Sequence, residues 1–96
     1  MIEIRKTEVF EQWFLGLRDQ RARARIKTRI RRLALGNPGD VEPVGEGVSE
    51  LRIDYGPGYR IYFVMRGKEL SLLLAGGTKQ SQSRDIKKAL ELARML

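Results

Sequence analysis

The apolar residues of this chain change their spacing once, and that change restricts the fold more than any other feature. Val9, Phe10, Trp13, Phe14 and Leu17 recur three and four positions apart, and so do Ala22, Ile26, Ile30 and Leu33. Each set makes a stripe along one face of a helix. After Gly47 the spacing drops to two, with Leu51 and Ile53, then Tyr59, Ile61 and Phe63. That is the period of half-buried strands. Helices come first and strands follow, which is the order of an α+β domain.

Punctuation sharpens this outline. Ile2–Arg5 reads as a short first strand, and Thr7 is an N-cap for a helix over Glu8–Leu17. After the break LRDQ, the run RARARIKTRIRRLALG is a second helix, stopped by Gly36 with Pro38 close behind. The two helices form a helical hairpin. Asn37–Gly47, NPGDVEPVGEG, reads as a long loop. Strands are expected over Val48–Asp54, Tyr59–Arg66 and Glu69–Ala75, the last two joined by a tight turn at RGKE. Gly76 and Gly77 are expected to end the last strand and turn the chain sharply. A final helix begins at Ser81 or Ser83, with Ile86, Ala89, Leu90 and Ala93 on its inner side. The order is β-α-α-β-β-β-α. The expectation is an antiparallel-rich sheet of about four strands, with the first strand beside one of the later ones. The helical hairpin covers one face and the other face stays open.

Composition excludes several kinds of chemistry. A chain of 96 residues is one domain. It has no Cys and no His, so a disulfide framework is excluded, a zinc site nearly so, and neither imidazole nor thiol can act in catalysis. No stretch resembles a phosphate-binding P-loop. No apolar run approaches the roughly 20 residues that cross a bilayer. MIEIRKTEVF lacks the apolar segment of a signal peptide, so a cytoplasmic location is expected. Nineteen Lys and Arg against 12 Asp and Glu give a net charge of +7 and point to a polyanionic partner.

The stretch ELRIDYGPGYRIYF, from Glu50 to Phe63, places this charge. Alternation turns Leu51, Ile53, Tyr59, Ile61 and Phe63 towards the helices, and Glu50, Arg52, Arg60 and Tyr62 to the opposite face. The expected register sets Arg52 opposite Tyr62 and Asp54 opposite Arg60, with the turn centred on Pro57. A cross-strand salt bridge from Arg60 to Asp54 is the plainer explanation of Arg60, and a solvated loop lysine that of Lys79. Together, Arg52, Arg60 and Lys79 form a cationic group able to bind a phosphodiester and stabilise a phosphorane. If the substrate is RNA, its own 2′-OH is the nucleophile. A second concentration of charge runs from Arg21 to Arg32. Arg21, Arg23, Arg25, Lys27, Arg29, Arg31 and Arg32 fall there with no acidic residue between them. It is either a solvated face or a surface for nucleic acid or an acidic protein.

ELRIDYGPGYRIYF followed by LLLAGGTKQSQSRDIKKAL resembles the phage-derived addiction-module killer proteins, a HigB-like branch of the RelE/ParE toxin superfamily of bacterial type II toxin–antitoxin systems. The resemblance spans nearly the whole chain. It implies a RelE-like fold and a metal-independent, ribosome-dependent mRNA endonuclease. The implied partners are the 70S ribosome, mRNA and a neutralising antitoxin, often a helix-turn-helix protein. By position, Arg60 matches the arginine that stabilises the phosphorane, Arg52 a basic residue on the neighbouring strand, and Lys79 the basic residue after the last strand. Thr78 stands where that branch commonly has Asp. The end, ALELARML, holds neither the Tyr nor the His that many relatives use as general acid. Lys79, Tyr62 or Tyr59 is left for the acid and Glu50 for the base. Arg21, Arg25, Lys27, Arg29 and Arg32 would face RNA or the ribosome. The superfamily also includes gyrase inhibitors without nuclease activity, and a nucleic-acid-binding module without catalysis is a third possibility.

Overall fold

A computed structural model describes residues 1–96. The elements are β1 (Glu3–Lys6), α1 (Glu8–Leu15), α2 (Gln20–Ala34), β2 (Val41–Gly45), β3 (Val48–Ile53), β4 (Tyr59–Arg66), β5 (Leu70–Thr78) and α3 (Gln82–Met95), with a single 3₁₀ turn, Lys79–Ser81, before α3. Thr7 caps α1, its hydroxyl accepting from the Phe10 amide. Asp19 caps α2 by accepting from the Arg21 and Ala22 amides. No helix is long and apolar enough to cross a membrane.

The five strands form one sheet in the order β1-β5-β4-β3-β2. β1 runs parallel to β5, and every other pairing is antiparallel. The α+β class and the helical hairpin on one face are as expected. Phe10, Ala22, Ile26 and Leu33 pack there on Leu51, Ile53, Tyr59, Ile61, Phe63 and Leu73. At roughly 1.5–3 kcal/mol for each large apolar side chain buried, this cluster dominates the stability.

The opposite face is not open. α3 lies on it, and Ala89 joins Val48, Tyr62, Val64, Leu74 and Ala75 in a second buried cluster. The apolar stripe of α3 needed a surface, and the sheet offered an uncovered one.

Part of the expected loop is a strand. β2 adds to the outer side of β3, with Val41 and Val44 half-buried and Pro43 at the edge, where its missing amide costs no ladder bond. Its turn to β3 uses Glu46 and Gly47, both with positive φ, of 53° and 81°. Arg94 from α3 holds the Glu46 carboxylate in a two-pronged bridge, at 2.8 and 2.5 Å.

The β3–β4 register also differs from expectation. Arg52 stands opposite Arg60 and Glu50 opposite Tyr62, across a five-residue loop, Asp54–Gly58. Gly56 and Gly58 take positive φ in that loop, which makes its tight reversal possible. The shift is two residues, so every side chain keeps its expected face.

Gly76 and Gly77 do not end β5. They lie within it, paired with Ile61 and Arg60. Their role is close approach: a Cβ on Gly76 would run into the Trp13 ring, and one on Gly77 into the Asp85 carboxylate.

Ser71 on β5 is fully buried and its hydroxyl finds no hydrogen-bond partner. A buried hydroxyl without a partner costs about 1–3 kcal/mol on mutational scales. Ser71→Ala is therefore expected to stabilise the protein by about 1 kcal/mol, raising Tm by about 4–8 °C. A melting curve for Ser71→Ala at or below wild type would show that the hydroxyl is satisfied in solution.

Candidate functional site

The ends of β3, β4 and β5 meet around a cleft of about 430 Å³ lined by Asp40, Arg52, Asp54, Arg60, Lys79 and the glycine-proline turn. Arg52 and Arg60 are direct neighbours across the strands. Two like charges in that arrangement repel. Glu50 resolves the conflict from within the fold. Its side chain is wholly buried under α3, and its Oε1 accepts from Arg52 Nε at 2.9 Å and lies 3.8 Å from Arg60 Nε. Its Oε2 accepts from Gln82 Nε2 at 2.7 Å and from the Tyr62 hydroxyl at 3.2 Å.

These contacts set the ionisation of the group. Burial pushes the Glu50 carboxyl up, but the hydrogen bonds from Arg52, Gln82 and Tyr62 outweigh it and leave it below the usual carboxylate range. The Tyr62 phenol is driven far above its ordinary range, first by burial and then by the Glu50 charge it faces. Both oxygens of Glu50 are engaged, and the Tyr62 hydroxyl is spent on one of them. The base and acid that the resemblance offered are thus both fully buried beneath α3, and neither lines the cleft. They form a support beneath the two arginines. Tyr59 drops out for another reason. It is buried on the opposite face, edge-on to Trp13 and stacked with Tyr55, within the core under the helical hairpin.

The three principal cations do come together. Arg52 is partly exposed, while only 12% of the Arg60 side chain is. Arg60 Nε is buried and makes no hydrogen bond to any protein group. Lys79 is exposed, and its backbone amide donates to the Gly58 carbonyl at 2.8 Å, which fixes it beside the hairpin loop. The Arg60–Asp54 salt bridge is absent; the carboxylate near Arg60 is that of Glu50.

Sequence reading missed Gln82, which lies inside the quoted KQSQSRDI but beyond the reach of strand alternation. It also missed the part of Glu50 as anchor, because nothing in its strand shows that a helix will cover it.

The cations of α2 divide into two sides. Arg21, Arg25, Arg29 and Arg32 line a groove of about 770 Å³ that also touches Ile53 and Asp54. Lys27 and Arg31 lie in a smaller one with Phe10, Phe14 and Ile30. Arg23 instead donates to the Leu15 carbonyl at 2.7 Å and lies against Phe14. Arg29 is not the free surface cation expected of it. Its guanidinium donates to the carbonyls of Arg52 at 2.6 Å and Pro38 at 3.0 Å, clamping α2 to the loop and to β3.

Acid titration should report on Glu50. A carboxyl whose folded-state value lies below its unfolded one stabilises the fold fully above the unfolded value, near 4.5 for Glu, and that stabilisation is lost as pH falls through the folded value. Wild type is expected to lose denaturant resistance progressively below about pH 4.5, and Glu50→Gln to show a flatter profile there despite lower stability at neutral pH. Parallel profiles for the two proteins would show that Glu50 is not the linked group.

The fold and the cleft define a small α+β protein in which a set of cations on the sheet is braced by a buried carboxylate. Residues 12–96 match the family described as phage-derived protein Gp49-like (DUF891), and the chain belongs to that family. It is also similar to an uncharacterized protein of Haemophilus influenzae, with 46% identity over 95 residues, 99% of this chain and 96% of that one.

Proposed function

We propose that this protein is the toxin of a bacterial type II toxin–antitoxin system, a HigB-like member of the RelE/ParE superfamily that works in the cytoplasm. Its activity in this reading is a metal-independent cleavage of mRNA on the ribosome. The observation that carries it is the convergence of Arg52, Arg60 and Lys79 on one cleft, with the two arginines side by side across β3 and β4 over the buried Glu50 carboxylate. Three cations around one cleft suit the negative charge of a phosphodiester and of the phosphorane formed from it. Membership of the Gp49-like family supports the toxin reading.

The chemistry follows from what the cleft contains. A ribose 2′-OH attacks the adjacent phosphorus and gives up its proton to solvent water, forming a bond from O2′ to phosphorus as the bond to O5′ breaks. Negative charge grows on the phosphoryl oxygens, where Arg52 and Arg60 converge. In this reading the Lys79 ammonium, exposed at the cleft, protonates the departing 5′ oxygen. Because Glu50 holds the arginines before substrate arrives, little reorganisation is needed as the charge develops. The free cations of α2 bring the protein to ribosomal RNA. The antitoxin that silences it presents an acidic surface, complementary to a net charge of +7.

The test is a cell-free translation reaction with purified protein. Truncated mRNA is expected only when ribosomes are present and translating. Intact mRNA together with blocked DNA supercoiling by gyrase would replace this reading with that of a gyrase inhibitor.

A further inference from the structure

The α2 groove and the β-sheet cleft are not separate features. Asp54 lines both, and the two residues before it, at the end of β3, divide between them: Arg52 lines the cleft and Ile53 the groove. Arg29 donates to the Arg52 carbonyl at 2.6 Å, so the two walls are tied together. No cation of α2 has a carboxylate oxygen within ion-pairing distance; the ion pairs of the molecule all lie elsewhere. A helix that carries seven uncompensated cations repels itself, and a polyanion relieves the repulsion.

We propose that the groove formed by Arg21, Arg25 and Arg32 is a second RNA-binding site, which takes the single strand as it leaves the cleft and passes Asp54. It rests on the endoribonuclease reading for the identity of the strand. In-line attack by a 2′-OH needs a nucleotide turned out of A-form helical geometry, so what continues from the cleft is one strand and not a duplex. The contacts are to phosphate. Tyr55, the aromatic at the junction, is already engaged by Arg25 at 4.7 Å and by Tyr59, and its hydroxyl is bonded to Asp19. With no free ring to stack a base, the groove binds with little sequence preference. Asp54 is exposed at the junction and opposes the strand there. The sequence alone treats all cations of this helix alike; the structure puts Lys27 and Arg31 on the other side, away from the track.

The experiment is equilibrium binding, by fluorescence anisotropy, of a labelled 2′-O-methyl RNA 12-mer that cannot be cleaved, over a series of salt concentrations without ribosomes. The pair Arg21→Ala with Arg25→Ala removes two phosphate contacts. It is expected to weaken binding by about 25-fold at about 0.1 M salt and to reduce the salt slope by about 1.4, at roughly 0.7 per contact. The pair Lys27→Ala with Arg31→Ala removes the same charge from the far side and should leave the slope near wild type. Asp54→Asn should tighten binding several-fold. Melting curves for each variant establish that it is folded.

Equal weakening by the two pairs would reduce the groove to diffuse attraction and overturn the proposal. So would a duplex of the same length competing as well as the single strand. An unchanged oligonucleotide affinity in the Arg21 and Arg25 pair would assign the groove to an acidic protein instead, and likewise overturn it. The outcome separates cleanly from the nuclease reading. If wild type leaves mRNA on ribosomes intact but the groove pair still loses strand binding, the nuclease reading falls and the site stands. If mRNA is cut but both pairs weaken binding equally, the site falls and the nuclease stands.

Discussion

Arg60→Ala is expected to slow ribosome-dependent mRNA cleavage by about 10²–10³-fold and to leave a folded protein. The fold should survive because Arg60 carries little of it. Its Nη1 reaches the Tyr59 carbonyl at 3.4 Å, and its Nε is only an ion-pair distance, 3.8 Å, from Glu50. When it is removed, Glu50 keeps its shorter bonds from Arg52 and Gln82, and the bond from Tyr62. The rate should fall because Arg60 lines the cleft beside Arg52, where the charge develops. The loss belongs in the chemical step, so kcat drops while ribosome co-sedimentation stays unchanged. Arg60→Lys restores charge without the planar fork and should recover activity only in part. Single-turnover cleavage of ribosome-bound mRNA measures this directly. Near wild-type turnover by a folded Arg60→Ala protein would remove Arg60 from the chemistry.

Arg60 is legible in the sequence for a definite physical reason. Pleat alternation assigns a face to each residue of a hairpin, and the apolar partners Leu51, Ile53 and Ile61 leave no choice of which face is inward. A register error of two residues preserves the assignment, so Arg52 and Arg60 fall together although their expected cross-strand partners are not the observed ones. Lys79 is marked only by its place after the last strand and by the resemblance, since a loop lysine carries no local signal. What is not legible depends on α3. Its stripe of Ile86, Ala89, Leu90 and Ala93 shows that the helix is amphipathic but not which surface it will cover. Covering Glu50 and Tyr62 changes a candidate base and acid into the brace of the site. Arg29 is hidden in the same way. In a run of seven like charges, nothing local marks the one that folds back on three carbonyls, of Arg52, Pro38 and Asp40.

Gly76→Ala is expected to cost about 1–3 kcal/mol, the usual range for overpacking, and to sit at the upper end of it. The glycine pair reads locally as a strand breaker, yet both residues pair in register with β4. What Gly76 supplies is the absence of a Cβ beneath the Trp13 ring, where an added carbon would come within 2.5 Å of Cδ2 and closer still to two other ring atoms. The indole cannot swing away, because it packs against Phe10 at 5.7 Å and Tyr59 at 6.3 Å, and Phe10 is itself buried. Either α1 lifts from the sheet or β5 bows. Gly77→Ala should cost less. Its clash is with the carboxylate of Asp85, the end of a flexible side chain that can turn aside at the loss of its bond to Ser81. Trp13→Leu tests the explanation. If steric conflict is the cause, the double substitution Trp13→Leu with Gly76→Ala costs less than the two single ones added, by about 0.5–3 kcal/mol. Strict additivity in urea unfolding would mean that the glycine is required for its backbone and not for the indole. The strain also bears on the site. Lys79 follows Gly76 by three positions and is hung from the Gly58 carbonyl, so a β5 displaced under α1 carries that cation away from the cleft. Gly76→Ala should therefore lose cleavage activity at temperatures where it is still folded, and the added Trp13→Leu should return it.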